Sequence, residues 1–142
     1  PYCKRLAPLL EQVFEKNEET VKIAYKHLPL RSHNMARPAA LASMAANEQG
    51  KFWEYHDKLF AEQTIAPASF ERIATELDLD LDKFKADMKS QRLQKVVAQD
   101  TADAGQFGVT GTPTVFINGS KLKQRSLQGF QAQIDAALAK VE

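Results

Sequence analysis

GVTGTPTVFING, residues 108–119, carries the clearest local signals in the chain. Residues 114–117 form a compact apolar run, which predicts a buried strand. Asn118-Gly119 is a strong signal for a two-residue hairpin turn, so residues 121–123 are expected to return antiparallel to that strand. The Thr112-Pro113 bond before the strand can be cis at modest cost, but taken alone it predicts only a simple trans turn.

The single cysteine, Cys3, lies near the other end of the sequence, in Pro1-Tyr2-Cys3-Lys4. Apolar residues follow it at helical spacing, which predicts an amphipathic helix with the thiol at its N-terminal end. Pro8 falls inside this helix and is expected to kink it. Read together with the proline loop at residues 110–114, Cys3 suggests a thiol site that faces that loop. The alternative for a lone cysteine is a small buried hydrophobic residue.

The intervening residues predict one strand followed by a block of helices. Residues 21–28 partly alternate apolar and polar side chains, which predicts a strand that Pro29 helps to end. Helical spacing then recurs in an alanine-rich segment up to Gly50, an aromatic segment and three further segments. The residues that define these five helices are Ala39–Ala46, Phe52–Phe60, Phe70–Leu77, Leu81–Met88 with Asp80 as its cap, and Leu93–Phe107. A final helix after the hairpin is predicted from Phe130–Val141. The predicted order is helix, strand, helices, strand, strand, helix, an α/β class.

Composition restricts the function classes. The chain has 142 residues, of which 44% are hydrophobic and 26% charged, the balance of one soluble globular domain. Its net charge of +1 comes from scattered charges, which does not indicate a nucleic-acid-binding surface. Asp78, Asp80 and Asp82 imitate the start of a calcium loop, but Lys89 stands where the closing glutamate belongs. We therefore expect no metal, and the glycines near residue 108 make no dinucleotide fingerprint.

Three features together resemble the thioredoxin superfamily: the opening PYCK, Pro8 five residues after the cysteine, and residues 108–119. The helical block, including Gln49–Trp53 and His56–Phe60, resembles the DsbA-like branch of that superfamily. This resemblance implies one thioredoxin-like domain over residues 1–142 with a helical insertion at about 34–106.

The catalytic motif of that family is Cys-x-x-Cys, and this chain supplies only Pro1, Tyr2 and Cys3 of a CPYC motif. The first cysteine and the first strand of the family fold are missing from these residues. We therefore expect the sequence to be part of a longer protein, cut within its active-site motif. The resemblance implies that Cys3 is the resolving cysteine, that Pro1 and Tyr2 belong to the redox motif, and that Pro113 is cis.

The implied activity is thiol–disulfide exchange on protein substrates, without a cofactor, in concert with a redox partner that the sequence does not identify. Thr112, before the proline, would hold an extended substrate peptide through its backbone. The chain by itself is expected to be almost inactive. The alternative is a non-redox module of the same fold that binds peptides or a partner domain.

The resemblance also implies a bacterial periplasmic or extracytoplasmic location. We expect no signal segment within these residues, so the location comes from the resemblance alone. A missing first strand would leave an exposed sheet edge, and such an edge favours self-association.

Overall fold

The computed structural model describes residues 1–140. Over that range it contains α1 (Tyr2–Lys16), α2 (Ala36–Asn47), α3 (Phe52–Ala61), α4 (Pro67–Glu76), α5 (Leu81–Lys89), α6 (Gln91–Gln106), β1 (Phe116–Ile117), β2 (Ser120–Lys121) and α7 (Leu127–Leu138). These elements form two compact units. We call Pro1–Tyr25 with the residues from Val109 onward the terminal unit, and Lys26–Gly108 the helical unit. The predicted insertion of about 34–106 falls within the helical unit, and the domain bounds stay a prediction.

The terminal unit has a core built mainly by its two helices. Leu6 and Val13 of α1 and Phe130 and Ile134 of α7 are buried together. Half-buried side chains from the intervening segments complete this cluster: Leu9, Leu10, Val21, Val115, Ile117 and Leu122. Leu6 and Val13 are seven residues apart, two helical turns, so they lie on one face of α1. The helix is continuous through Pro8. Val141, predicted as the end of the last helix, lies outside the described residues.

The hairpin prediction is confirmed, with shorter strands. β1 pairs antiparallel with β2, and Ile117 lies opposite Ser120. Asn118 and Gly119 between them both have positive φ, 45° and 79°, as a type I′ turn requires. The prediction that residues 114–117 are a buried strand is wrong for Phe116, which is 40% exposed. Successive side chains of a strand point to opposite faces, so Val115 and Ile117 join the core while Phe116 points away.

The strand predicted at residues 21–28 is wrong, because that segment forms no ladder in the described chain. Val21 and Ile23 are half-buried and Lys22 is exposed, so the alternation correctly predicted which side chains face inward. A strand also needs a hydrogen-bonded neighbour. Within residues 1–140 the only sheet is the β1–β2 pair.

The helical unit packs around α2, whose Ala42, Ala45 and Ala46 are fully buried. Tyr55 of α3 is also fully buried, and its hydroxyl donates to the Phe70 carbonyl oxygen at 2.9 Å. Asp80 caps α5 as predicted, accepting a hydrogen bond from the Lys83 amide at 2.9 Å. Phe107 was predicted as the last residue on the apolar side of the sixth helix. It is 74% exposed, because α6 ends one residue earlier and helical spacing no longer sets its direction.

A buried carboxylate organises the start of the helical unit. Asp100 of α6 accepts a hydrogen bond from the His27 backbone amide at 2.9 Å. It also forms an ion pair with Lys26, in which the two charged atoms are 2.7 Å apart. The His27 side chain is buried and meets the Phe52 ring edge-on, with 6.1 Å between ring centroids. Burial lowers the pKa of His27, Asp100 opposes that change, and His56 and Lys26 reinforce it.

Replacing Gly129 by alanine should destabilise the protein. Gly129 lies in the first turn of α7, where an added Cβ would overlap the Gln124 carbonyl oxygen and lie 2.8 Å from the Gln124 Cβ. We expect Gly129→Ala to lower the free energy of unfolding by about 1–3 kcal/mol, measured by urea titration. Gly105→Ala in α6 is the matched control, because its Cβ would meet nothing within 4 Å. It should stabilise the protein by about 0.5–1 kcal/mol. A stability loss in Gly105→Ala equal to that in Gly129→Ala would contradict the steric explanation.

The stability of the folded protein should fall in mild acid because of His27. Its pKa is below the usual 6.5 in the folded state, so near and below that pH the unfolded chain binds a proton that the folded chain does not. The free energy of unfolding should therefore decrease as the pH falls through about 6.5 toward the folded-state pKa. His27→Gln should flatten this decrease in urea titrations across that range. His33→Gln, at an exposed position, should retain it. An equally steep decrease in His27→Gln would show that other groups cause it.

Candidate active site

Cys3 lies in the first turn of α1, as the sequence predicted. It is the second residue of that helix, and its side chain is a half-buried free thiol. The first turn contains no acidic residue and no side chain caps it. Backbone amides at a helix start point toward the N-terminal end, and they favour a negative charge placed there. Cys3 therefore lies at the end of the helix toward which these amides point.

Tyr2 and Arg5 form a separate contact beside the thiol. The Arg5 guanidinium lies over the Tyr2 ring, 4.9 Å from its centroid, and Tyr2 is 63% exposed. A cation over an aromatic face is attracted by the negative potential of that face. The Tyr2 ring is therefore held near the protein surface by its own helix.

The loop before β1 contains Thr112, which is exposed as a residue. The Thr112–Pro113 peptide bond is cis. Thr112 is exposed, and among residues 1–140 no hydrogen bond to its backbone N–H or C=O is formed. The Thr114 hydroxyl donates to the Gly111 carbonyl oxygen at 2.8 Å and closes the turn around Thr112. An exposed backbone N–H and C=O at one residue can pair with an added extended chain.

The core of the terminal unit connects Cys3 with this loop. Cys3 lies one turn before Leu6, on the same face of α1. Val115 lies two residues after Pro113. Leu6 and Val115 belong to the same hydrophobic cluster. The thiol and the proline loop are thus anchored by neighbouring residues to one core.

Tyr25 is a residue of this site that our sequence reasoning missed. Its pKa is raised by burial of the hydroxyl and, in addition, by the charge of a Cys3 thiolate. Tyr25 is nevertheless 44% exposed as a whole residue. Part of its side chain is therefore accessible to solvent, while burial still affects the ionisation of its hydroxyl. Its sequence signal was the alternation of residues 21–25, which places its side chain on the face of Val21 and Ile23.

His27 and His56 both belong to the helical unit, where His56 Nδ1 lies 2.9 Å from a carboxylate oxygen of Asp57. Among residues 1–140, no three His, Cys, Asp or Glu side chains are grouped so that they could hold a metal ion. None of the helices described in that range combines the length and the apolar character needed to cross a bilayer.

Comparison with solved structures gives the fold. A thioredoxin-like oxidoreductase from Silicibacter pomeroyi DSS-3 superposes with a TM-score of 0.88 and 26% identity, over 98% of this chain and 80% of that one. The oxidoreductase DsbA from Xylella fastidiosa superposes with a TM-score of 0.77 and 19% identity, over 99% of this chain and 79% of that one. The predicted thioredoxin-like, DsbA-like fold is confirmed, and within residues 1–140 it consists mostly of helices with a small sheet.

The curated relatives are much longer proteins, and the match covers only a part of each. The chain is 42% identical over 123 residues to a protein of Salinispora tropica named Na(+)/H(+) antiporter NhaA 3, a match that covers 85% of this chain and 19% of that protein. It is 35% identical over 142 residues to Na(+)/H(+) antiporter NhaA 1 of Salinispora arenicola, covering 98% of this chain and 22% of that protein. The chain therefore spans about a fifth of the length of these relatives.

A family model described as Thioredoxin matches residues 1–136, almost the whole chain. The match includes Cys3, Thr112 and Pro113, so it covers both parts of the candidate site. Together with the superposed structures, it confirms the resemblance drawn from the sequence. The chain belongs to the thioredoxin family and has a DsbA-like fold.

Proposed function

We propose that this chain is the main part of a protein thiol–disulfide oxidoreductase. One observation carries the proposal: the only cysteine lies half-buried in the first turn of α1, one turn before Leu6, and Leu6 packs in the same cluster as Val115, two residues after the cis Thr112–Pro113 bond. The helix start favours a thiolate, and the loop offers unpaired backbone groups to an extended peptide. The thioredoxin-like oxidoreductase that superposes on the chain supports the same class of reaction.

The proposed role of Cys3 is to resolve a mixed disulfide. In a complete CPYC motif, the thiolate of the first cysteine attacks one sulfur of a substrate disulfide, and the other substrate sulfur leaves as a thiolate with the bonding electron pair. The Cys3 thiolate then attacks the sulfur of the first cysteine. A disulfide forms between the two motif cysteines, the mixed disulfide breaks, and the substrate leaves with both of its sulfurs reduced. The reverse sequence oxidises a substrate dithiol.

Thr112 is the proposed contact for the substrate backbone. Thr112 is an exposed residue, and its N–H and C=O make no hydrogen bond within residues 1–140. The Thr114–Gly111 bond supports the turn that contains it. Strand addition through backbone groups gives affinity with little dependence on substrate sequence. Such recognition suits an enzyme that acts on many proteins.

The non-redox alternative uses the same loop without the thiol chemistry. It requires a residue other than cysteine immediately before Pro1 in the gene. The redox proposal requires cysteine there, so that one codon separates the two. The absence of an acidic residue from the first turn of α1 favours the redox proposal, because an acidic side chain there would oppose a thiolate.

We also propose an extracytoplasmic location in a bacterium. The relatives come from bacteria, and disulfide chemistry on proteins belongs to oxidising compartments. The names of the curated relatives favour a second arrangement, in which such a domain works within the same polypeptide as a cation–proton antiporter. Reading the gene on both sides of these 142 codons separates a free oxidoreductase from a transporter-linked one.

We also propose that copies of this chain associate through the sheet edge that the missing first strand would leave exposed. β1 pairs only with β2 in the described chain, and residues 22–24 form no backbone hydrogen bond there. Exposed, unpaired backbone groups in extended segments favour pairing between copies. We expect light scattering to show dimers or larger species as the concentration rises. A monomer at every concentration would contradict this proposal.

Restoring the motif should create activity, and removing Cys3 should then trap the substrate. We expect the 142-residue chain to reduce insulin no faster than a blank reaction. The chain extended upstream through a cysteine immediately before Pro1 should be active. In the extended protein, Cys3→Ser should accumulate mixed disulfides with substrate, visible on non-reducing gels, because the resolving attack is lost.

The matched control carries serine in place of the upstream cysteine and keeps Cys3. It should form few such complexes, because the attacking thiolate is absent. A folded, extended protein without activity, or equal trapping by both variants, would contradict the assignment of Cys3.

A further inference from the structure

The hairpin turn places an asparagine directly before a glycine. Asn118 is the one asparagine in the sequence that glycine follows. Both residues are exposed. Within residues 1–140, neither the side-chain amide of Asn118 nor the backbone amide of Gly119 makes a hydrogen bond. No partner in that range therefore competes for either group.

The two groups can react with each other without a cofactor. The Gly119 nitrogen, after losing its proton to a base, attacks the side-chain carbonyl carbon of Asn118. A bond forms between these atoms, and the side-chain nitrogen leaves as ammonia, which gives a succinimide ring. Water then opens the ring to aspartate, or to isoaspartate, in which the main chain runs through the side-chain carbonyl carbon. The reaction consumes water and releases ammonia, and nothing is oxidised or reduced.

Glycine is the following residue that hinders this attack least. It has no Cβ beside the attacking nitrogen, and its backbone adopts conformations that other residues avoid. Ring closure also turns the Gly119 nitrogen toward the Asn118 side chain. The closed turn resists this rotation, because it holds the two residues at φ of 45° and 79°. The reaction therefore depends on local opening of the hairpin.

Few contacts hold the hairpin closed. Each strand has two residues, and Ile117 lies opposite Ser120. Beyond the strands, the Leu122 amide donates to the Val115 carbonyl oxygen at 2.8 Å. The side-chain amide of Gln133 in α7 donates to the Ser120 carbonyl oxygen at 2.9 Å. A hairpin with so few backbone pairs is marginal, and such exposed segments open locally at small cost.

We propose that Asn118 is a site of spontaneous deamidation, and that its isoaspartate product disrupts the hairpin. Isoaspartate adds a methylene group to the main chain of a turn whose length sets the strand register. Ile117 and Ser120 then no longer lie opposite each other. Val115 and Ile117 pack in the core of the terminal unit, so the change weakens the support of the loop that contains Pro113.

Ageing the 142-residue chain in mildly alkaline buffer tests the site. We expect peptide mass spectrometry to show a gain of about 1 Da at Asn118, because an amide becomes a carboxyl group. Asn34 is the matched internal control, since it is also exposed and in a turn, but Met35 follows it. Asn118 should deamidate roughly tenfold faster than Asn34, because glycine presents no Cβ to hinder the attack. Equal rates at the two asparagines would overturn the proposal.

Hydrogen exchange at the Leu122 amide tests the effect on the hairpin. An isoaspartyl methyltransferase labels the isoaspartate form, and chromatography separates it from the aspartate form. In the isoaspartate form, the Leu122 amide should exchange about tenfold faster, because its bond to the Val115 carbonyl oxygen is lost.

Freshly prepared Asn118→Asp is the matched control variant. It carries the same added charge on an ordinary main chain, and aspartate tolerates the positive φ of the turn. Its Leu122 amide should exchange as slowly as that of the unaged protein. Equal exchange in the isoaspartate form and in Asn118→Asp would overturn the effect on the hairpin.

This inference goes beyond the proposed function and does not depend on it. Neither measurement involves Cys3 or a substrate. An inactive extended protein would contradict the oxidoreductase proposal and leave deamidation at Asn118 intact. An active extended protein whose Asn118 reacts no faster than Asn34 would do the opposite.

Discussion

The contact between α1 and α7 is the interaction on which the candidate site depends. Leu6 and Val13 bury one face of α1 against Phe130 and Ile134. Each such buried side chain contributes about 1.5–3 kcal/mol relative to exposure. Val115 packs on the same cluster, and so the loop that contains Pro113 has the same support as the helix that carries Cys3. Loss of this core would separate two groups that are more than a hundred residues apart in sequence.

The proposed chemistry needs little more than this support. A helix start supplies backbone amides that favour a thiolate, and the first turn carries no acidic group to oppose it. The loop supplies backbone groups at Thr112 instead of a shaped pocket for a particular side chain. Affinity would then come from backbone pairing. The helical unit has its own core around α2 and its own buried charge at Asp100, so its stability is organised separately.

Local signals predicted much of this structure. Helical spacing after Cys3 predicted α1, and Asn118-Gly119 predicted the hairpin, because both depend on neighbouring residues alone. The strand predicted at residues 21–28 failed for a physical reason: alternation reports which side chains are buried, while a strand also needs a distant backbone as its partner. Phe116 was predicted as buried because a short apolar run does not reveal which of its members point away from the core. Tyr25 was missed because its proximity to Cys3 depends on the turn after α1.

The central claim is that Cys3 and the Thr112–Pro113 loop form one site that holds a substrate peptide during disulfide exchange. The most direct test is hydrogen exchange at the Thr112 amide. It requires the chain extended through a cysteine immediately before Pro1, with Cys3→Ser, linked by a disulfide to an extended cysteine peptide. The account predicts that exchange of the Thr112 amide slows by about tenfold in this complex. An amide that already donates within its own unit, such as that of Gly50 to the Asn47 carbonyl oxygen, should be unchanged. Unchanged exchange at Thr112 in the fully formed complex would contradict it.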